Sequence, residues 1–401
     1  MAFKSAKDQF DILTSNIEEV LPEDEFLDKL NKSHKNNIPL NIKLGCDPSR
    51  PDLHIGHSVV LNKLKQFQDL GHNIILVIGD FTAMIGDPTG RNKTRPQIDI
   101  KETKNNSKTY INQVSKILDI SKTKIVYNSK WLNDINLSKL ISLSSKFTLA
   151  QFLERDDFSK RYKNGLPISL HEFMYPLAQA YDSVYLRSDI EIGGTDQKFN
   201  LLLARDLQKE FNMEPQIALT MPLIEGTDGV EKMSKSYDNY IAFNDSPNDM
   251  YGKVLSIPDN LIFKYFKYVS NVSLKEINDY DLSLKSDKIN HRDLKRKLAR
   301  EIVSIYYDDM AASQAEENFD VVIVNKGIPK DVKEVSIEKN IKLVDFLFNY
   351  NLVASKGEAK RLIKQSAVRV NDDVVSDIHL NLEISKTYTI KVGKRRFIKI
   401  K

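Results

Sequence analysis

The sequence has almost none of the residues that would mark a secreted or membrane-bound protein. It holds a single cysteine, Cys46, so no intrachain disulfide can form, and a reducing cytoplasm is the expected setting. Residues Met1 to Phe10 contain no apolar signal core, and no apolar run is long enough to span a bilayer, so no membrane partner is expected. There is no internal repeat and no low-complexity tract. Excess charge is also scarce: 59 basic residues face 55 acidic ones, a formal net charge of +4. That small surplus is unevenly placed. Residues 341–401 hold 13 Lys and Arg against 6 Asp and Glu, leaving 46 against 49 for the rest. A basic terminal module on a near-neutral body suggests a polyanionic partner, although a solvated lysine-rich face would give the same count.

What is present is an ordinary globular composition, 41% hydrophobic and 28% charged, over 401 residues. That length suits two or three domains. The most informative stretch is Asp47-Pro48-Ser49-Arg50-Pro51-Asp52-Leu53-His54-Ile55-Gly56-His57. Ile42 to Cys46 before it reads as a buried strand. Ser58 to Leu70 after it reads as an amphipathic helix, with Val59, Leu61 and Leu64 at helical spacing. A strand, a Pro-rich turn and a helix start collect unpaired backbone N–H groups at the positive end of a helix dipole, which suits phosphate. His54 and His57 are three apart and can point the same way. Gly56 between them lets a ligand approach the backbone. Far downstream stands Lys232-Met233-Ser234-Lys235-Ser236.

The remaining segments fill in an alternating pattern. Residues 1–39 read as two short helices broken near Leu21-Pro22. Asn73 to Gly79 is a second buried strand, followed by a polar loop through Asp87 to Arg91, so two parallel strands are joined by a helix. Ligands of such sheets bind beyond the carboxyl ends of the strands. Residues 99–119 read as helix and Lys124 to Tyr127 as a short strand. Leu137 to Arg161 is helical and apolar in patches, either as core or as a dimer surface. In the helix 171–185, Tyr175, Gln179 and Asp182 share one face, while Pro176 should kink the helix or start it. Glu191 to Gln197, with Gly193-Gly194 and Asp196, is expected to follow a short strand and lead into a helix. Residues 247–312 are helical by pattern and 313–339 read as a connector. Ser355 caps a helix carrying Lys356, Lys360, Arg361 and Lys364, and Val368 to Val375 reads as a hairpin.

His54-Ile55-Gly56-His57 and Lys232-Met233-Ser234-Lys235-Ser236 match letter for letter the HIGH and KMSKS signatures of class I aminoacyl-tRNA synthetases. With the helix bearing Asp182, the chain resembles the bacterial tyrosyl-tRNA synthetase family. Its tail resembles the small alpha-L type RNA-binding module shared with a ribosomal small-subunit protein. The resemblance implies an α/β fold: a Rossmann-like parallel-sheet catalytic domain over 1–230 with inserted helices at about 130–165. An α-helical anticodon-side domain (231–325), a linker (326–340) and a small α+β RNA-binding domain (341–401) would follow.

The same resemblance implies a two-step reaction. L-tyrosine is activated with ATP to tyrosyl-AMP and diphosphate, then transferred to the 3′-terminal ribose of tRNA(Tyr). The expected catalytic residues are His54, His57, Lys232, Lys235, Ser236 and Ser49, acting as positioned cations and donors. Arg91 and Arg95 are expected to add charge. ATP is expected on His54, Gly56, His57, Gly193, Gly194, Asp196, Met233 and Lys235. Tyrosine is expected on Asp47, Asp87, Tyr175, Gln179, Asp182 and Gln197, and tRNA on Lys356, Lys360, Arg361 and Lys364. Mg2+ is expected with the phosphates, with no dedicated protein metal site. A homodimer is expected, and no DNA partner. Gly226 and Gly229 are expected to let the KMSKS loop close. Where many tyrosyl enzymes place a second tyrosine on the phenol, this chain has Lys43, which could donate to the phenol oxygen or turn away. Three other readings share parts of the pattern: a tryptophanyl relative, another adenylyl-transferring enzyme with the same histidine motif, and a silent RNA-binding protein on the same frame.

Overall fold

Near-continuous apolar runs build a six-stranded sheet. The computed structural model describes residues 4–48, 51–87, 100–325, 332–393 and 396–401. The strands are β1 (Glu19–Leu21), β2 (Asn41–Cys46), β3 (Asn73–Ile78), β4 (Thr123–Tyr127), β5 (Ile190–Gly194) and β6 (Ile217–Met221), in the order β1-β6-β5-β2-β3-β4. All pairs are parallel except the edge pair of β1 with β6. Every residue of β6, and every residue of β3 after Asn73, is buried, as expected for strands covered by helices on both faces. The order reverses between β2 and β5, the topological switch at which such sheets bind ligands.

The helix Ile55–Asp69 follows β2 and buries Ile55, Val59, Leu61, Leu64 and Phe67. Its packing against β3 and β5 follows from that apolar stripe. The helix Leu170–Leu186 packs on the helix Lys198–Glu210 and the turn Thr82–Ile85. Inserted helices Leu137–Ser144, Leu149–Leu153 and Asp156–Lys163 supply Leu143, Phe152 and Phe158 to one core with Trp131, Phe173 and Leu177. Leu137, Ile141 and Leu149 stay exposed. This apolar segment thus provides both buried core and an uncovered surface.

Four expectations need correction. The N-terminal segment is not helices alone: β1 lies between Ala6–Leu13 and Glu23–Asn36 and pairs with β6. Three residues are too short for a period to register. Of the two alternatives for Pro176, a helix start is excluded, because Pro176 lies inside the helix. The helix begins at Leu170, where the Ser169 N–H donates to Glu172 Oε1 at 2.9 Å, and the burial of Phe173 and Leu177 outweighs the one missing N–H. Glu191–Gly194 does not follow the strand but belongs to β5 itself. The connector is helical at its start, through Asp309–Phe319 and a π turn at Asp320–Val324.

Two compact units divide the chain, Met1–Ser246 with Lys253–Leu298, and Pro247–Gly252 with Ala299–Lys401. The first carries the sheet and the helices Ile262–Val269 and Leu274–Lys285. In the second, helices Leu343–Asn349 and Lys356–Lys364 pack with a five-stranded sheet around Leu343, Phe346, Ile363, Val368 and Ile390. No helix among the described residues is long and apolar enough to cross a membrane.

His72 ties the first helix to the sheet. Its Nδ1 accepts from the Leu40 N–H at 3.2 Å and its Nε2 bonds Gln9 Oε1 at 2.8 Å. Burial pushes its pKa down to about 4. The folded state therefore resists a proton that the unfolded chain takes up near pH 6.5, so this contribution is complete above about 6.5 and is lost as pH falls through about 4. His72→Gln should remove about 3 kcal/mol of that acid dependence, measured as a shallower fall of the unfolding free energy between those two pH values.

Candidate active site

Several strands deliver polar groups to one place. β2 hands over to Asp47, β3 to Gly79 and the Thr82–Ile85 turn, β5 ends in Gly193-Gly194, and β6 is followed by Pro222 and Leu223. A cavity of about 600 Å³ opens there. His54, Gly56, His57, Gly193, Gly194, Asp196, Lys232, Met233, Lys235 and Ser236 line it. So do Asp47, Asp87, Tyr175, Gln179, Asp182 and Gln197. The two distant signatures thus open onto a single cavity. Ser49, Arg91 and Arg95 lie outside the described residues. Lys356, Lys360, Arg361 and Lys364 are exposed on one helix of the second unit.

His54 caps the helix Ile55–Asp69, and its backbone N–H donates to His57 Nδ1 at 3.1 Å. His57 Nδ1 also lies 3.2 Å from the His54 carbonyl oxygen, and it accepts or donates there according to the tautomer. The two imidazoles lie 3.8 Å apart, centroid to centroid. Burial, then Lys235, holds His57 at about 4. Burial first, then His57 and Lys235, holds His54 well below its ordinary value. Burial and the nearby Lys235 thus favour the neutral form of both imidazoles. His54 Nδ1 is buried with no hydrogen-bond partner among the described residues.

The KMSKS segment is held by Asn239, which the sequence reading did not single out. Asn239 Oδ1 accepts from the Ser234 N–H at 2.8 Å and its Nδ2 donates to Asp228 Oδ2 at 2.8 Å. Gly226 is needed here for space, since a Cβ on it would stand 2.3 Å from Asn239. Met233 is buried, and its N–H donates to the Ile224 carbonyl at 2.7 Å. Lys232 Nζ pairs with Asp196 Oδ2 at 2.8 Å.

A second set of contacts is built around carboxylates. Asp47 accepts from Thr82 Oγ1 at 2.7 Å and from the Tyr175 hydroxyl at 2.8 Å. Gly79 makes that possible: a Cβ there would meet Asp47 Oδ1 at 2.0 Å. Asp182, 3% exposed, accepts from Trp131 Nε1 at 2.8 Å and Asn128 Nδ2 at 3.2 Å. Burial raises its carboxyl to about 7, against the opposing pull of Lys43 and these two donors. Gln197 Nε2 donates to Asp87 Oδ2 at 2.9 Å. Trp131 and Asn128 lacked any motif of their own, and only the fold brings them to Asp182. Lys43 turns away from the cavity and pairs with Glu191 at 2.9 Å, both fully buried. Among the described residues no group of three or more His, Cys, Asp or Glu side chains could hold a metal ion.

A family model described as tRNA synthetases class I (W and Y) matches residues 35–322. One described as a tyrosine--tRNA ligase SYY-like C-terminal domain matches residues 324–400. The chain is 53% identical over 402 residues to a tyrosine--tRNA ligase of Chlorobaculum tepidum, covering 100% of this chain and 98% of that relative. It is 49% identical over 394 residues to one of Thermotoga maritima, covering 98% and 97%. A solved tyrosyl-tRNA synthetase of Archaeoglobus fulgidus complexed with L-tyrosine aligns with a TM-score of 0.63 at 22% identity, covering 77% of this chain and 99% of that one. At that identity the likeness speaks for the fold alone.

Proposed function

The chain belongs to the class I tRNA synthetases of the tryptophan and tyrosine type, and within them to the tyrosine--tRNA ligases, and from that premise we propose how its residues divide the work. The enzyme activates L-tyrosine with ATP and transfers it to tRNA(Tyr). One observation carries the assignment of roles: both signatures line the same cavity as Asp182.

In the first step the tyrosine carboxylate attacks the α-phosphorus and diphosphate leaves. The attacking group is already an anion, so no strong base is required. Catalysis rests on alignment and on stabilising the charge that builds on the phosphates. Lys235 and Lys232 supply positive charge, and His54 and His57 donate N–H bonds as neutral rings. Ser236 and Ser49 add hydroxyl donors, while Gly56 and Met233 shape the nucleotide seat. Asp196 and the Gly193-Gly194 backbone take the ribose. Mg2+ accompanying the nucleotide would add charge neutralisation at the phosphates. In the second step a hydroxyl of the terminal tRNA ribose attacks the tyrosyl carbonyl and AMP leaves.

Tyr175 donates its hydroxyl hydrogen to Asp47, so its oxygen is left as an acceptor, the right polarity for an ammonium. Asp87 and Gln179 complete that seat, Gln197 orients the substrate carboxylate, and Asp47 supports from behind. Asp182 accepts from the phenol. The exposed Leu137, Ile141 and Leu149 suit a second copy of the chain, and the exposed basic helix Lys356–Lys364 suits the tRNA backbone. The single cysteine suits a reducing cytoplasm.

Exchange of labelled diphosphate into ATP should occur with tyrosine and not with tryptophan or phenylalanine. Lys235→Ala should slow it by about a hundredfold or more with tyrosine binding nearly intact; equal loss of both would move Lys235 out of the phosphate site. An ionised carboxylate accepts more strongly than a protonated one. The KM for tyrosine should therefore fall as pH rises through about 7, and Asp182→Asn should flatten that profile and weaken the preference over phenylalanine. A flat profile in the parent enzyme would contradict the phenol assignment. Replacing Lys360, Arg361 and Lys364 together by alanine should weaken tRNA charging and make its salt dependence shallower. Unchanged charging would detach this helix from tRNA.

A further inference from the structure

We propose that Glu191, held by Lys43, is a positioning residue: it fixes the side-chain amide of Gln179 so that the carbonyl oxygen, not the NH2 group, meets the substrate ammonium. This rests on the reading of Gln179 as an ammonium contact.

Lys43 on β2 and Glu191 on β5 are register partners where the strand order reverses. Lys43 Nζ reaches three acceptors: Glu191 Oε1 at 2.9 Å, Ser183 Oγ at 2.6 Å and the Gln179 carbonyl at 3.1 Å. An ammonium has three hydrogens, so none remains for the crevice. Glu191 Oε1 also takes Gln179 Nε2 at 3.1 Å, and its Oε2 takes Ser183 Oγ at 2.9 Å and Gln216 Nε2 at 2.6 Å. A carboxylate paired to an ammonium and met by donors on both oxygens only accepts, so the NH2 of Gln179 must face it.

The other side of the amide is fixed by the opposite logic. Arg155 Nη1 donates to Asn200 Oδ1 at 3.4 Å, and a guanidinium can only donate. The NH2 of Asn200 is thereby turned toward Gln179 Oε1 and Gln197 Oε1, each at 3.0 Å. A flipped Gln179 would set oxygen against carboxylate and NH2 against NH2. An ion that only accepts and an ion that only donates thus set the polarity of the amides between them. Gln179 Oε1, with one lone pair on Asn200, keeps the other for a cation in the cavity that Gln179 lines. The Lys43 ammonium at 2.9 Å offsets the cost of burying the Glu191 carboxylate.

The test is diphosphate exchange by the full-length chain, with KM measured separately for tyrosine and ATP. Glu191→Gln sets an NH2 group against two of the four donors and frees the Gln179 amide to turn. Its tyrosine KM should rise about tenfold, one hydrogen bond to a charged group, with ATP KM and kcat close to the parent's. Lys43→Met/Glu191→Gln leaves neither charge buried alone and should show the same split, which covers the case in which the single variant does not fold. Gln179→Ala is run beside them. If it raises tyrosine KM while a folded Glu191 variant keeps the parent value, the proposal is overturned. Equal rises in tyrosine and ATP KM would assign Glu191 a structural role only and overturn it as well. If Gln179→Ala leaves tyrosine KM unchanged, the reading of Gln179 fails first and takes the proposal with it.

Discussion

The parting of the chain between β2 and β5 is the constraint on which the rest depends. Parallel strands must be joined by crossovers that lie on one face of the sheet or the other, and at the reversal of order the loops leave in opposite directions. The gap this opens cannot be filled by backbone, so side chains and a ligand fill it. Here it receives His54 and His57 from the helix after β2 and Gly193 and Gly194 from the end of β5. The same two strands, paired through Lys43 and Glu191, form part of the floor beneath it. Floor and rim therefore share one register, and a slip of one residue would disturb both.

Burial gives the two groups of ionisable residues opposite tasks. Beside the lysines of the KMSKS segment it disfavours charge on both histidines. On the helix Leu170–Leu186 it raises one carboxyl, Asp182, into the neutral range, where donors from Trp131 and Asn128 compete with desolvation. The lysines stand on a segment with a tight polar brace, Asn239, so their reach is set by the loop and not by the sheet.

Contiguous chemistry was legible from residues alone. The strand, turn and helix around His54 and His57, the lysine motif, and the spacing of Tyr175, Gln179 and Asp182 each lie within one or two elements, and their residues line one cavity. What could not be read was either very short or non-local. β1 has three residues and exists because β6 offers it an edge. The place of Pro176 is decided by packing, which local propensity does not contain. Lys43 alone says nothing of Glu191, Ser183 and Gln216, because the four meet only once β2, β5, the helix Leu170–Leu186 and the approach to β6 are assembled. Trp131 and Asn128 follow the same rule.

The contact between Lys232 and Asp196 has a further implication for the order of events on the enzyme. Before nucleotide arrives, the acid proposed to receive the sugar is engaged by a lysine proposed to receive the phosphates. On those two assignments, a sugar seated on that acid would release the lysine toward the triphosphate of the same nucleotide, whereas inorganic polyphosphate would meet one lysine still tethered.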